Sequence, residues 1–152
     1  GEGEVRIHRQ RLLDARGGFL RATLVQEQVA TGVETIVGVL QDASFGPLVM
    51  FGLGGVTTEV LGDRAFRILP LTDLDAHDLV RGIRGAPLLL GYRGAPPANL
   101  EALETLLLRV ARLAEDLPAV WQLELNPVCV TPARALAVDA RVRVAPAPAR
   151  HA

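Results

Sequence analysis

The order of elements in this 152-residue chain predicts an α+β domain, a mixed and mainly antiparallel sheet with helices packed on it. Short Val- and Ile-rich runs punctuated by glycine and proline predict the strands. Two later stretches repeat apolar residues at helical spacing. Two alternating runs around a four-residue loop then close the pattern as a hairpin.

Composition narrows the class. Aromatic residues make up only 4% of the chain against 49% hydrophobic, so the core must be aliphatic. A formal net charge of −1 gives no electrostatic case for a nucleic-acid partner. No apolar run approaches the roughly 20 residues of a membrane helix, and no signal peptide precedes the first charged residues. The single cysteine, Cys129, cannot make an internal disulfide. These features predict a cytoplasmic protein without a membrane partner, and they leave room for a homo-oligomer. The chain starts at Gly1 and ends in a Pro/Ala stretch over 145–152, which reads as a linker or tail of a longer protein. All 16 of its basic Lys+Arg side chains are arginine.

Residues 5–16 read as a short helix with an imperfect stripe of Ile7, Leu12 and Leu13, ended by Gly17–Gly18. Thr23–Val29 and Glu34–Leu40 read as strands joined in a hairpin across Ala30–Gly32. Phe45–Pro47 is a turn, and Leu48–Phe51 a strand. Gly52, Gly54 and Gly55 read as a loop before an extended Val56–Val60, followed by a strand over Ala65–Leu69. Thr72 with Asp75 has the layout of a capping box for a helix carrying Ala76, Leu79, Val80 and Ile83 inward. A loop over Arg84–Pro97 contains Gly91–Gly94. Asn99 caps the strongest helix, 100–117, with Leu103, Leu106, Leu107, Val110, Leu113 and Leu117 on one face. Strands over Val120–Val130 and Ala135–Val144 flank Thr131–Arg134.

That last hairpin is the most informative piece. If Val130 faces Ala135, then Asn126 lies opposite Asp139 and Glu124 opposite Arg141, while Leu125 meets Ala140 and Leu123 meets Val142. One face thus gathers Glu124, Asn126, Asp139 and Arg141. Carboxylate and amide oxygens suit Mg²⁺, which completes its shell from waters and phosphates, and an arginine beside them suits phosphate oxygens. A solvent-facing hairpin with ordinary cross-strand charge pairs produces the same pattern. The glycines at 52–55 let backbone approach a phosphate, and they also fit a plain turn or bulge. They form neither a P-loop nor a dinucleotide fingerprint.

Several blocks occur in order over residues 20–144: Val25–Val29, Gly32–Glu34, Val37–Val39, Asp42–Pro47, Phe51–Gly55 with Glu59, Pro70–Leu71, Gly91–Gly94, Glu124–Pro127 and Asp139–Arg141. Together they resemble the ATP-grasp domain of the NDP-forming acyl-CoA synthetases. The resemblance implies the carboxy-terminal ATP-grasp subdomain over 19–144, preceded by a residual helix of the other subdomain over 1–18. It implies that the backbone of Glu27, Gln28 and Val29 reads adenine, and that Glu34 holds the ribose hydroxyls. Asn126 and Asp139 would ligate magnesium with support from Glu124. Arg141 would lie near the phosphates, and Gly52, Gly54 and Gly55 with Glu59 would border phosphoryl transfer. The implied cofactors are ATP and Mg²⁺, with CoA bound by a domain outside this chain.

The implied reaction of the parent, an ADP-forming acid–thiol ligase, converts acid, ATP and CoA into acyl-CoA, ADP and phosphate through acyl phosphate and phosphohistidine. The implied partners are the CoA-binding and ligase domains of that parent. The family's other subdomain normally brings lysine to the phosphates, and this chain has none. His8, His77 and His151 match no phosphohistidine motif. The segment alone is therefore expected to be inactive. The alternative reading is a regulatory synthetase-like module of a protein acetyltransferase.

Overall fold

The computed structural model describes residues 5–13, 19–27, 29, 31–55 and 62–146. The chain divides into two compact units, Gly1–Ala30 and Thr31–Ala152. In the first, β1 (Val5–Leu13) pairs antiparallel with β2 (Phe19–Glu27), from Val5 opposite Glu27 to Leu13 opposite Phe19. This strand replaces the helix expected over 5–16, and the unit boundary follows Ala30 rather than residue 18. Val5 and Ile7 alternate with Arg6 and His8, and β-branched residues at period two favour a strand once a partner strand is available. The Gly17–Gly18 pair lies outside the described residues.

The second unit holds β3 (Val33–Asp42), β4 (Gly46–Leu53), β5 (Arg64–Ile68), β6 (Val120–Val130), β7 (Ala135–Ala137) and β8 (Ala140–Val144). Its helices are α1 (Asp73–Arg81), α2 (Ala86–Leu89) and α3 (Leu100–Asp116). The strand order is β5-β4-β3-β6-β7, with β8 continuing beside β6, and every one of these pairings is antiparallel. The expected hairpin between β2 and β3 does not form, because β2 pairs with β1 while β3 pairs with β4 and β6. Gly32 serves close approach instead of a turn: a Cβ there would lie 2.5 Å from the Val130 carbonyl oxygen.

Helices cover one face of the sheet. Val37, Val39, Val49, Phe51, Leu123, Val128 and Val130 point into it and meet Leu79, Val80, Leu103, Leu107 and Val110. The inward stripe of α1 is as expected. That of α3 is rotated, with Ala111 and Ala114 buried while Leu113 and Leu117 are exposed. Alanines there permit closer packing than leucines would, and the last apolar residues overrun the core. Arg81 of α1 pairs with Glu104 of α3.

Local chemistry fixes the element ends. Thr72 and Asp75 form the reciprocal capping box at α1. The Asn99 side chain accepts the Ala102 N–H at 2.9 Å, capping α3. Asp42 Oδ1 accepts the Ser44 and Phe45 N–H groups at 2.8 and 3.0 Å, closing the β3–β4 turn. The Thr131 N–H donates to the Arg134 carbonyl at 2.9 Å, which closes the four-residue loop of the last hairpin. The expected strand over 135–144 is interrupted at Val138–Asp139, between β7 and β8. The expected loop over 84–97 contains α2 and a 3₁₀ turn at Tyr92–Gly94, in which Arg93 adopts a left-handed φ of 52°.

Sequence patterning did not expose the role of Asp63. Its buried carboxylate accepts the N–H groups of Arg84 at 2.8 Å and Gly85 at 2.7 Å, tying the entrance of β5 to the start of α2. Gly85 is sterically required beside it, since a Cβ would lie 2.1 Å from Leu53 Cδ1, in a side chain only 3% exposed. Gly85→Ala is expected to destabilise the fold by about 1–3 kcal/mol through overpacking, read from the denaturant midpoint. A midpoint equal to wild type would mean that Leu53 can move aside.

The capping box has a pH signature. Hydrogen bonds from the Thr72 hydroxyl and then the Thr72 backbone hold the Asp75 carboxyl below the ordinary aspartate range. A carboxyl lowered on folding stabilises above its unfolded pKa, and that contribution is lost as pH falls through the folded value. Asp75→Asn should therefore lower the melting temperature at neutral pH and converge on wild type below about pH 4. Melting curves across that range test this, and a constant offset at all pH values would contradict it.

Candidate functional site

The face of the sheet turned away from the helices carries the expected site residues in cross-strand rows. In the first row Arg64 stands opposite Gly52 and Gly52 opposite Ile36. Ile36 faces Asn126 and Pro127 together, because the register between β3 and β6 shifts by one residue between Thr35 and Val37. The Asn126 N–H donates to the Asp139 carbonyl at 3.1 Å, extending the row to Asp139. The next row is Phe66, Met50, Gly38, Glu124 and Arg141. The third is Ile68, Leu48, Leu40, Gln122 and Arg143.

The hairpin register is the expected one from Val130 to Gln122: Val130 faces Ala135, Leu125 faces Ala140, Glu124 faces Arg141 and Leu123 faces Val142, with a one-residue shift only beyond Gln122. Strict alternation carried past Asn126 would have put Val128 on the polar face. The extra residue against β3 restores Val128 to the core, where the Thr35 hydroxyl donates to its carbonyl at 3.1 Å. A bulge of this kind re-aims side chains while preserving the flanking ladders.

Glu124, Asn126, Asp139 and Arg141 share the open face. The Asn126 amide nitrogen donates to Glu124 Oε1 at 3.1 Å, which leaves its carbonyl oxygen free of that contact. Asp139 Oδ1 accepts the Ala140 N–H at 3.0 Å, and Oδ2 lies 3.5 Å from Arg141 Nε. Gln122 and Glu124 form a wall shared by two grooves. One, of about 200 Å³, is also lined by Ile36, Gly38, Met50, Arg64 and Asn126. The other, of about 220 Å³, is also lined by Arg141, Val142 and Arg143. A larger cavity of about 470 Å³, lined by Asn99, Arg109 and Arg134 among others, shares none of these hairpin residues. Arg64 and Arg143 escaped the sequence reading, because neither lies in a motif and only the strand register reveals their rows.

The remaining expected residues are distributed as follows. Gly52 lies within β4, so the glycine stretch is the end of a strand rather than a free loop. Gly54 donates its N–H to the Glu34 carbonyl at 2.7 Å, and that donor is therefore already engaged. Gly55, at φ 69°, turns the chain, and a Cβ on it would lie 3.2 Å from Glu34 Oε2. The structure thus brings Glu34 and the glycine stretch together, two features the sequence reading kept apart. Glu27 ends β2 and Val29 is half-buried outside regular structure, just before the unit boundary. Gln28, Glu59 and the Val56–Val60 run lie outside the described residues. Arg93 stacks over the neighbouring Tyr92 ring, 5.3 Å from its centroid.

Glu34 faces Cys129 across β3 and β6. Partial burial, and then the Glu34 carboxylate, push the Cys129 thiol above its ordinary value. Glu34→Gln should move the pH midpoint of Cys129 alkylation downward, while burial keeps it above that of a free thiol. An unchanged midpoint would show that the two side chains do not feel each other.

With this geometry in place, the similarities to known proteins are informative. An ATP-grasp domain family model matches residues 6–144. The beta subunit of acetate–CoA ligase [ADP-forming] I of Pyrococcus furiosus is 42% identical over 123 residues, 81% of this chain and 53% of that protein. Acetate–CoA ligase [ADP-forming] I of Archaeoglobus fulgidus is 46% identical over 123 residues, 81% of this chain and 18% of that protein. Among solved structures, the dinucleotide forming acetyl-coenzyme A synthetase 1 of Ca. Korarchaeum cryptofilum, in complex with coenzyme A and Mg-AMPPCP, superposes with a TM-score of 0.77. It is 40% identical, with 80% of this chain and 57% of that chain covered. The chain therefore spans about half the length, or less, of these relatives. No described helix is long and apolar enough to cross a membrane. Sheet topology, matched length and sequence identity agree, and this chain belongs to the ATP-grasp domain family.

Proposed function

We propose that this chain supplies the ATP- and Mg²⁺-binding part of an ADP-forming acyl-CoA synthetase, which converts a carboxylic acid, ATP and CoA into acyl-CoA, ADP and phosphate. The observation that supports it most is the pairing of Asn126 with Asp139 on one open face, beside Glu124 and Arg141.

The donor chemistry fits a magnesium–nucleotide. No group of three or more His, Cys, Asp or Glu side chains able to hold a metal occurs among the described residues. Two carboxylates and an amide oxygen instead suit a cation that keeps waters and takes other ligands from phosphate. In this reading Asn126 and Asp139 hold the metal, Glu124 orients the Asn126 amide, and Arg141 neutralises phosphate oxygens. Magnesium would supply charge stabilisation at the transferred phosphoryl group. The backbone of Glu27, Gln28 and Val29 reads the adenine edge, and Glu34 accepts hydrogen bonds from the ribose hydroxyls. The strand end at Gly52–Gly55 and Glu59 border the transferred group. The acid, CoA and histidine relay are handled by domains outside this chain, in a cytoplasmic protein. The acetyltransferase-fused alternative draws no support from the ligase and synthetase relatives named above.

In the full-length enzyme, Asp139→Asn should abolish ATP-dependent acyl-CoA formation. Stability should change by no more than about 0.5 kcal/mol, because the Asp139 side chain is exposed and outside the core. Coupled ADP release and thermal unfolding measured on the same preparation test both halves. Undiminished turnover would remove Asp139 from the metal site.

A further inference from the structure

We infer that Arg64 is a phosphate-contacting residue of this face, a role that rests on the nucleotide reading above and adds a residue outside the hairpin to it. Arg64 begins β5, and the ladder places it in the same cross-strand row as Gly52, Ile36, Asn126 and Asp139. It lines the same groove of about 200 Å³ as Glu124 and Asn126.

The row is shaped for an extended cation. Gly52 stands directly beneath it, and a Cβ there would lie 3.1 Å from Arg64 Cγ. Gly38, in the neighbouring row, leaves room for Met50, whose Cε would be 3.2 Å from an added Cβ. Gly52 thus leaves room for the arginine stem beside a groove floored by Ile36 and Met50. Three strand steps of roughly 4.8 Å separate the backbones of Arg64 and Asn126, about 14 Å in all. A guanidinium leaning inward from one side and an amide–carboxylate pair on the other leave a gap for a chain of phosphate groups.

Charge bookkeeping favours the same assignment. The chain has no lysine, so every phosphate contact it makes through a cationic side chain is made by arginine. Arg141 already lies 3.5 Å from Asp139, and Arg81 and Arg112 are paired with Glu104 and with Glu115 and Asp116. Arg64 is exposed, and its side chain has no hydrogen bond or ion pair among the described residues. A guanidinium held on a groove beside hard-oxygen donors, with its own hydrogen bonds unspent, is equipped to take phosphate oxygens bidentately.

The test is nuclear magnetic resonance titration of the 152-residue chain with Mg–ATP, and separately with adenosine, at concentrations into the millimolar range. Wild type, Arg64→Met and Arg64→Lys are compared. Arg64→Met should weaken Mg–ATP binding about tenfold and leave adenosine unchanged, as expected for the loss of one charge-assisted contact. Arg64→Lys should recover most of the loss. In wild type the Arg64 side-chain Nε–H signal should shift with Mg–ATP and not with adenosine. If wild type binds Mg–ATP but Arg64→Met binds equally well, or loses adenosine to the same extent, the Arg64 role is wrong and the nucleotide reading stands. An Arg64 Nε–H signal unmoved at saturation has the same meaning, independently of how either variant folds. Should wild type bind neither probe, the nucleotide reading of the chain fails and this inference fails with it.

Discussion

Ile36 of β3 faces two residues of β6, Asn126 and Pro127, and much of the architecture on both sides follows from that mismatch. On the helix side it lets Leu123 and Leu125 before the bulge, and Val128 and Val130 after it, face the same core. On the open side it ends the alternation at Asn126, which shares its face with Glu124 and donates its side-chain amide to it. The last hairpin keeps its own register through this region, from Val130 opposite Ala135 to Leu125 opposite Ala140. Its two strands therefore move together relative to β3. Proline at the bulge lacks an N–H, so it adds no unpaired donor where the β3 ladder is interrupted.

The two faces divide the labour. The helix side is aliphatic, and the fully buried Thr35 within the sheet donates its hydroxyl hydrogen to the Val128 carbonyl. The open side mixes glycine, apolar residues and charges in ordered rows. Arginines line the grooves on either side of Glu124, so the face offsets its carboxylates with positive charge and would suit an anionic ligand. Glu34 lies beside Gly55, just past the end of β4 that carries Gly52 and the Asn126 row.

The legible parts of the sequence were those in which a local rule and the tertiary contacts agree. The register of the last hairpin followed from a four-residue loop and two faces of consistent character. The α1 capping box was readable from Thr72 and Asp75, and α3 from its leucines and the Asn99 cap. The errors arose where a non-local partner decides. Val5–Leu13 became a strand because β2 pairs with it, and locally only the short alternation of Val5 and Ile7 spoke against a helix. Gly32 looked like a turn residue but is needed for close approach to Val130. Gly52 and Gly54 looked like a loop yet continue the β3–β4 edge. Asp63 and Arg64 had no motif to announce them, because their partners lie about 20 residues away or on neighbouring strands.

The cross-strand rows also act as a ruler. Backbone hydrogen bonds set the separation of neighbouring strands, so the spacing from Arg64 to Asn126 is counted in ladder steps rather than in side-chain conformations. Repacking of Leu103, Leu107 or Leu79 on the far side can alter stability without changing that count. The helical layer is thereby free to drift in sequence while the dimensions of the opposite face stay fixed, and only an insertion, a deletion or a shifted bulge in the strands would rescale it.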